Sequence, residues 1–235
     1  GDFILTLPAI KLLREAFPHA HLEILGYEHI IALADGRYYA DATRSIEYGP
    51  MAGFFVPNGT LADDLKDYFA SFQQIVSYLY DPDGFFEANL RKAGAKNILP
   101  AFAKIDDSEH ASRQLARPLQ SLALFLEESG AEVFPSERDK ASAAERLNSL
   151  GERPLIAVHP GSGGARKNWG IESWRELLER IQGLSPEYGL VVVGGEADRP
   201  RLAQLAPMMN GWKGVILEDL PLPVHFAANG VADHP

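Results

Sequence analysis

Ile10, Leu13 and Phe17 recur at i, i+3 and i+7 while Lys11, Arg14 and Glu15 fall on the other side, the spacing of an amphipathic helix that ends before Pro18. The stretch HLEILGY (21–27) then reads as a strand, followed by a helix near 28–34, a short strand near 45–49, a helix near 61–70 and the strand QQIVSYLY at 73–80. After the turn-forming DPDG comes a helix over about 84–94, and KNILP follows as a strand. SRQLARPLQSLALFLEESG (112–130) reads as one long helix stopped by Gly130. Residues 131–154 turn charged and rich in Ala and Ser, which suits a linker with a solvated helix. The alternation then restarts with strand 155–159, helix 171–182, strand 189–194, helix 198–206 and strand 214–217. Strands alternating with helices predict parallel sheets covered on both faces. The pattern is therefore α/β, two Rossmann-like domains in tandem, with the carboxyl ends of the strands expected to face a central cleft. The expected bounds are 1–135 for the first domain, 136–153 for a linker and 154–235 for the second.

Composition narrows the partners. A net charge of −10 repels nucleic acid and anionic membrane surfaces over long range, so any anion site must be local. With no cysteine, disulfides, thiol nucleophiles and Cys-ligated zinc are excluded, and a reducing cytoplasm is suited. No apolar run approaches the roughly 18 residues that span a bilayer, and no signal peptide is visible, so the chain reads as soluble.

The richest chemistry lies in HPGSGGARKNWG (159–170), between a strand and a helix. A Walker A loop fails because Arg166 stands at its second glycine and Asn168 follows Lys167; a dinucleotide G-x-G-x-x-G also fails, again at Arg166. What remains is a strand, three glycines in four positions, two cations and a helix. Glycines let the backbone approach an anion, and free amides with Arg166 and Lys167 can hold a diphosphate. An ordinary glycine-rich turn with surface cations is the competing reading. A second glycine pair follows the next strand in LVVVGGEADRPRL, where Glu196 can accept both hydroxyls of a ribose or simply favour a helix start. DPDG contains a D-x-D, but Pro82 and Gly84 mark it as a turn, and no metal is expected. Asp81 and Asp83 sit after a predicted strand, and His110 near the start of the long helix; all three are candidates on the acceptor side.

Three segments together resemble glycosyltransferase family 9, the lipopolysaccharide heptosyltransferase family: GDFILTLPAIKLLREAFPHAHLEILGY, HPGSGGARKNWGIESWRELLERI and VVVGGEADRPRL. The resemblance implies the GT-B architecture, with the acceptor on the N-terminal domain and a sugar nucleotide on the C-terminal one. It implies Asp2 of the Gly-Asp pair as the base that deprotonates the acceptor hydroxyl, and Lys167 as the cation that neutralises the departing diphosphate. Ser162, Gly163 and Gly164 become further phosphate contacts, and Glu196 the ribose ligand. His159 is expected to shape the loop, and Trp169 and Trp174 to pack. The implied activity is inverting transfer of a heptose or related sugar from an ADP-sugar, with ADP-heptose the expected donor and no cofactor. The acceptor would be a hydroxyl of a lipopolysaccharide core or other surface glycan, in the cytoplasm and in peripheral contact with the inner membrane through that acceptor. Family members carry a strand before the Gly-Asp pair and a D[ST]G..H segment after the last strand. Neither is in this sequence, so it reads as a piece cut at both ends, with a non-catalytic nucleotide-binding remnant as the alternative function. A GT-B sugar-nucleotide epimerase is a third reading.

Overall fold

A computed structural model describes residues 2–230, the side chains of 165, 229 and 230 excepted. Gly1 of the Gly-Asp pair and the closing residues 231–235 lie outside the described residues. The chain divides into two compact units, 1–134 and 135–235.

In the first unit, helix α1 (Asp2–Ala16) carries Pro8 inside it, and the hydroxyl of Thr6 donates to the Asp2 carbonyl at 2.9 Å. Strand β1 (Glu23–Gly26) leads through the short α2 (Glu28–Ile31) to β2 (Ala42–Ser45), which pairs with it in parallel, Glu23 opposite Ala42. A 3-10 turn over Gly49–Phe55 precedes α3 (Asp63–Ser71), and β3 (Ile75–Ser77) and α4 (Phe85–Lys92) follow. Strand β4 (Ile98–Pro100) pairs in parallel with β3, Ile75 opposite Ile98. The period-2 alternation of a strand sorts its side chains to two faces. Ile75 and Ile98 pack with Leu65, Phe69, Phe86 and Leu90 of α3 and α4, whereas Val76 and Leu99 pack with Ala9, Leu12 and Leu13 of α1 and with Ala116 and Leu119. Buried Asn89 of α4 donates from Nδ2 to the carbonyls of Phe54 (3.1 Å) and Val56 (2.9 Å), tying the 3-10 turn to the helix.

The long helix expected over 112–130 does not form. Helix α5 covers Ala111–Ala116, and a 3-10 turn continues over Arg117–Leu122. Pro118 has no amide to donate, so the helical hydrogen-bond ladder is broken at that position. Ala123, at φ 60°, then turns the chain out of the helix.

In the second unit, Ser136 and Asp139 form a reciprocal capping box that starts α6 (Glu137–Leu147). The helix expected within 131–154 thus forms, and the stretch 136–153, expected as a linker, belongs to the second unit with a few of its residues buried. Ala143, Leu147 and Leu150 are buried against Val191, Val193 and Leu217 of the sheet and against Val224, Ala227 and Ala228 of the last helix. The sequence then alternates β5 (Leu155–Val158), α7 (Ile171–Leu184), β6 (Gly189–Gly194), α8 (Arg199–Leu205), β7 (Gly214–Glu218) and α9 (Leu222–Gly230). The three strands are parallel in the order β5-β6-β7, and all six residues of central β6 are buried. Leu190 and Val192 face Leu178, Leu202, Leu205 and Trp212, the side opposite α6 and α9. A strand covered on both faces has to be apolar throughout, which is why GLVVVG shows no polar alternation.

Candidate functional site

The carboxyl ends of β5, β6 and β7 carry the glycine turns, acids and cations that the sequence singles out. After Val158 the chain runs through His159 and buried Pro160 to Gly161, which lies directly against the Asp198 carboxylate; a methyl group added at Gly161 would overlap it. Ser162 turns inward on its own loop, its hydroxyl donating to the Gly164 carbonyl at 3.0 Å. A 3-10 turn over Ala165–Lys167 follows, in which the Lys167 amide donates to the Gly164 carbonyl at 2.9 Å. Arg166 and Lys167 are exposed, and among the described residues neither is in an ion pair. Arg201 of α8 donates to the Trp169 carbonyl at 2.6 Å, and Trp169 stands edge to face with Trp174 at 5.3 Å. Both loop ends are therefore fastened, and the segment between them presents glycine backbone and two cations to solvent.

The second glycine turn is held from below. Asp198, only 9% exposed, accepts the Gly195 amide at 3.0 Å, and its Oδ2 lies 3.1 Å from His159 Nε2. Burial pushes this carboxyl up, but the Gly195 amide and His159 outweigh it and hold it below the usual carboxylate range. His225 of α9 packs edge to face on His159, with ring centroids 5.9 Å apart. Its own imidazole is pushed down by burial and by His159. One carboxylate thus braces both glycine turns, from β5 and from β6.

Glu196, in contrast, points outward with its side chain 85% exposed, and Arg199 lies 3.9 Å from it. Arg199 also pairs with Asp219 and approaches Glu218 at 3.9 Å. The residues expected on the donor side (Ser162, Gly163, Gly164, Lys167 and Glu196) therefore share one edge of one sheet. Asp198 and His225 are not among them. The signal for Asp198 was its place three residues after Gly195, the spacing at which a side chain returns to cap a helix start.

The expected acceptor-side residues all belong to the first unit. Asp2 is an exposed residue in the first turn of α1. Asp81 follows β3 and accepts the Glu87 amide at 2.9 Å, while Asp83 is exposed just before Gly84, whose φ of 70° makes the turn into α4. His110 caps α5, its Nδ1 accepting the Ser112 amide at 3.3 Å. These side chains come from three separate places in the unit, and among the described residues no hydrogen bond joins them. Also among the described residues, no group of three or more His, Asp or Glu side chains is placed to hold a metal ion, and no helix is long and apolar enough to cross a membrane.

Comparison with known proteins agrees with this layout. The family model described as glycosyltransferase family 9 (heptosyltransferase) matches residues 95–222, more than half of the chain. Among solved structures, the chain is similar to the glycosyl transferase family 9 protein from Veillonella parvula DSM 2008, at 18% identity and a TM-score of 0.74, over 99% of this chain and 70% of that one. It is similar to the E. coli ADP-heptose lps heptosyltransferase II, at 14% identity and a TM-score of 0.64, over 96% and 72% of the two chains. The E. coli heptosyltransferase WaaC with ADP follows at 15% identity and a TM-score of 0.58, over 94% and 72%. No curated protein matches the chain in sequence. The match over more than half of the sequence, with α/β units of parallel strands like those of its structural neighbours, makes the chain a GT-B glycosyltransferase that belongs to glycosyltransferase family 9, the heptosyltransferases.

Proposed function

We propose that this protein moves a heptose or a related sugar from an ADP-sugar to a hydroxyl of a lipopolysaccharide core or other surface glycan, with inversion at the anomeric carbon. The observation that carries the donor half is the pair of glycine turns braced by Asp198, with Lys167 and Arg166 exposed beside them. Backbone amides and fixed cations stabilise charge as it develops on a leaving diphosphate. Glu196 suits the ribose, because it is exposed while Asp198 already accepts the Gly195 amide and contacts His159. Asp2 is the proposed base: the acceptor oxygen attacks the anomeric carbon in line, its proton passes to the carboxylate, and the bond to ADP breaks with the negative charge taken up at Lys167 and the loop amides. Asp81, Asp83 and His110 are proposed to line the acceptor side. The sugar nucleotide is a substrate, and the scheme needs no cofactor. Work at the cytoplasmic face of the inner membrane, reached through the acceptor, belongs to the same proposal.

Calorimetric titration with ADP, with UDP and GDP as controls, tests the donor half. Selective ADP binding is expected; absence of any nucleotide binding by folded protein would refute it and favour a non-catalytic remnant. Asp2→Asn should leave ADP affinity unchanged and abolish transfer from ADP-heptose, and retained transfer would remove Asp2 from the role of base. Turnover of the ADP-sugar without any acceptor would instead favour an epimerase or hydrolase.

A further inference from the structure

The turn after β3 borders a cavity of about 170 Å³ in the first unit, lined in part by Leu79, Tyr80, Asp81, Phe86, Glu87 and Phe102. An engineered cavity of about 150 Å³ admits a benzene molecule, so there is room here for one six-membered ring. Two lining side chains are large aromatics kept in water: Tyr80 is 66% exposed and Phe102 48%, with their rings 4.9 Å apart and inclined at 47°. A single exposed aromatic needs no explanation, but two in contact at the mouth of a cavity form a platform.

The polar groups beside this platform are held in place. Asp81 is fixed by the Glu87 amide at 2.9 Å, and the Glu87 carboxylate is held by Arg91 at 2.7 Å. Each carboxylate oxygen can accept more than one hydrogen bond, so both retain free capacity toward the cavity. Asp81 and Glu87 against Arg91 leave the lining acidic, which disfavours a phosphorylated or carboxylated ring. Flat apolar faces, acceptors at the edge and an acidic lining describe a ligand with C–H faces, O–H donors and no negative charge.

We propose that this cavity is a subsite for one uncharged pyranose ring of the acceptor glycan, stacked on Tyr80 and Phe102 and donating hydroxyl hydrogens to Asp81 and Glu87. The inference rests on the glycosyl-transfer reading and places an acceptor sugar at residues which that reading does not use for chemistry.

The test is saturation-transfer NMR with methyl α-D-mannopyranoside, run beside ADP calorimetry on the same samples. Wild-type protein should transfer saturation to the pyranoside ring protons. Tyr80→Ala and Phe102→Ala, both at exposed positions, should each weaken this binding tenfold or more with ADP affinity unchanged. Asp81→Asn should weaken it less, and mannose 6-phosphate should bind more poorly than the neutral glycoside. No pyranoside signal from protein that binds ADP would overturn the subsite and leave the donor half standing; pyranoside binding without ADP binding would do the reverse. Equal binding of cyclohexanol and the pyranoside, insensitive to Asp81→Asn, would make the cavity a seat for an apolar side chain and refute the sugar assignment.

Discussion

Gly161→Ala should destabilise the second unit by breaking the brace between its two glycine turns. The added methyl group overlaps the Asp198 carboxylate, and that side chain is short, 9% exposed and already committed to the Gly195 amide and His159. It cannot swing aside without giving up both contacts. Overpacking of this kind costs about 1–3 kcal/mol, and a hydrogen bond to a charged group contributes about 1.5–3 kcal/mol. One displacement incurs both, so they do not add, and the expected loss is about 2–3 kcal/mol. The assay is built into the sequence: Trp169, Trp174 and Trp212 are the only tryptophans, and all three lie in the second unit, so tryptophan fluorescence during urea unfolding follows that unit alone. With a slope of about 1.5–2 kcal/mol per molar urea, the midpoint should fall by roughly 1–2 M. Gly163→Ala is the control, since a methyl group there meets nothing within 4 Å. A Gly161→Ala midpoint equal to wild type, or an equal fall for Gly163→Ala, would refute the brace.

Lys167→Ala should weaken ADP binding at least tenfold by calorimetry, about 1.5 kcal/mol or more, through loss of charge-assisted contacts to the diphosphate; an unchanged Kd removes Lys167 from the donor site. The His225 imidazole is held below its ordinary value of 6.5 by burial and by His159, so the fold favours its neutral form. Its contribution is complete above pH 6.5 and declines as pH falls below that value, because the unfolded chain then binds the proton more readily. Urea midpoints of the second unit should therefore drop between pH 7 and pH 5, and His225→Gln should flatten that slope; the Asp198 contribution is lost only at still lower pH, below 3.8. Asn89→Ala strips the Phe54 and Val56 carbonyls of a buried donor and should lower first-unit stability by about 2 kcal/mol, read by calorimetry as a shift in the transition that tryptophan fluorescence does not follow.

Much of the fold is legible in the chain where one signal dominates. The run GLVVVG is apolar at every position because β6 is covered on both faces, and the strand expected at 189–194 forms over those residues. The failures have equally local causes. The stretch 112–130 reads as one helix stopped by Gly130, but Pro118 removes an amide at the point where propagation requires one. Charge and small side chains made 136–153 look like a linker. Ala143 and Leu147 of α6 and Leu150 of the turn after it are apolar positions too sparse to stand out from the charged background.

The site divides along the same line. Glycines announce themselves in sequence, so both turns could be found, but the two acids after Gly195 could not be ranked from composition. Geometry ranks them. A carboxylate three residues past the turn reaches back to cap it and is drawn inside, whereas its neighbour Glu196, one residue past, is left in solvent. The buried acid then dictates the first loop: with Asp198 occupying the space beside position 161, only a residue without a side chain fits there. Gly161 is thus explained without any ligand, while Gly163 and Gly164, whose open surroundings would admit a methyl group, are not. In the proposed donor site, the bare backbone at those two positions is what a diphosphate would approach. That separates the glycine that builds the loop from the pair that the donor would use.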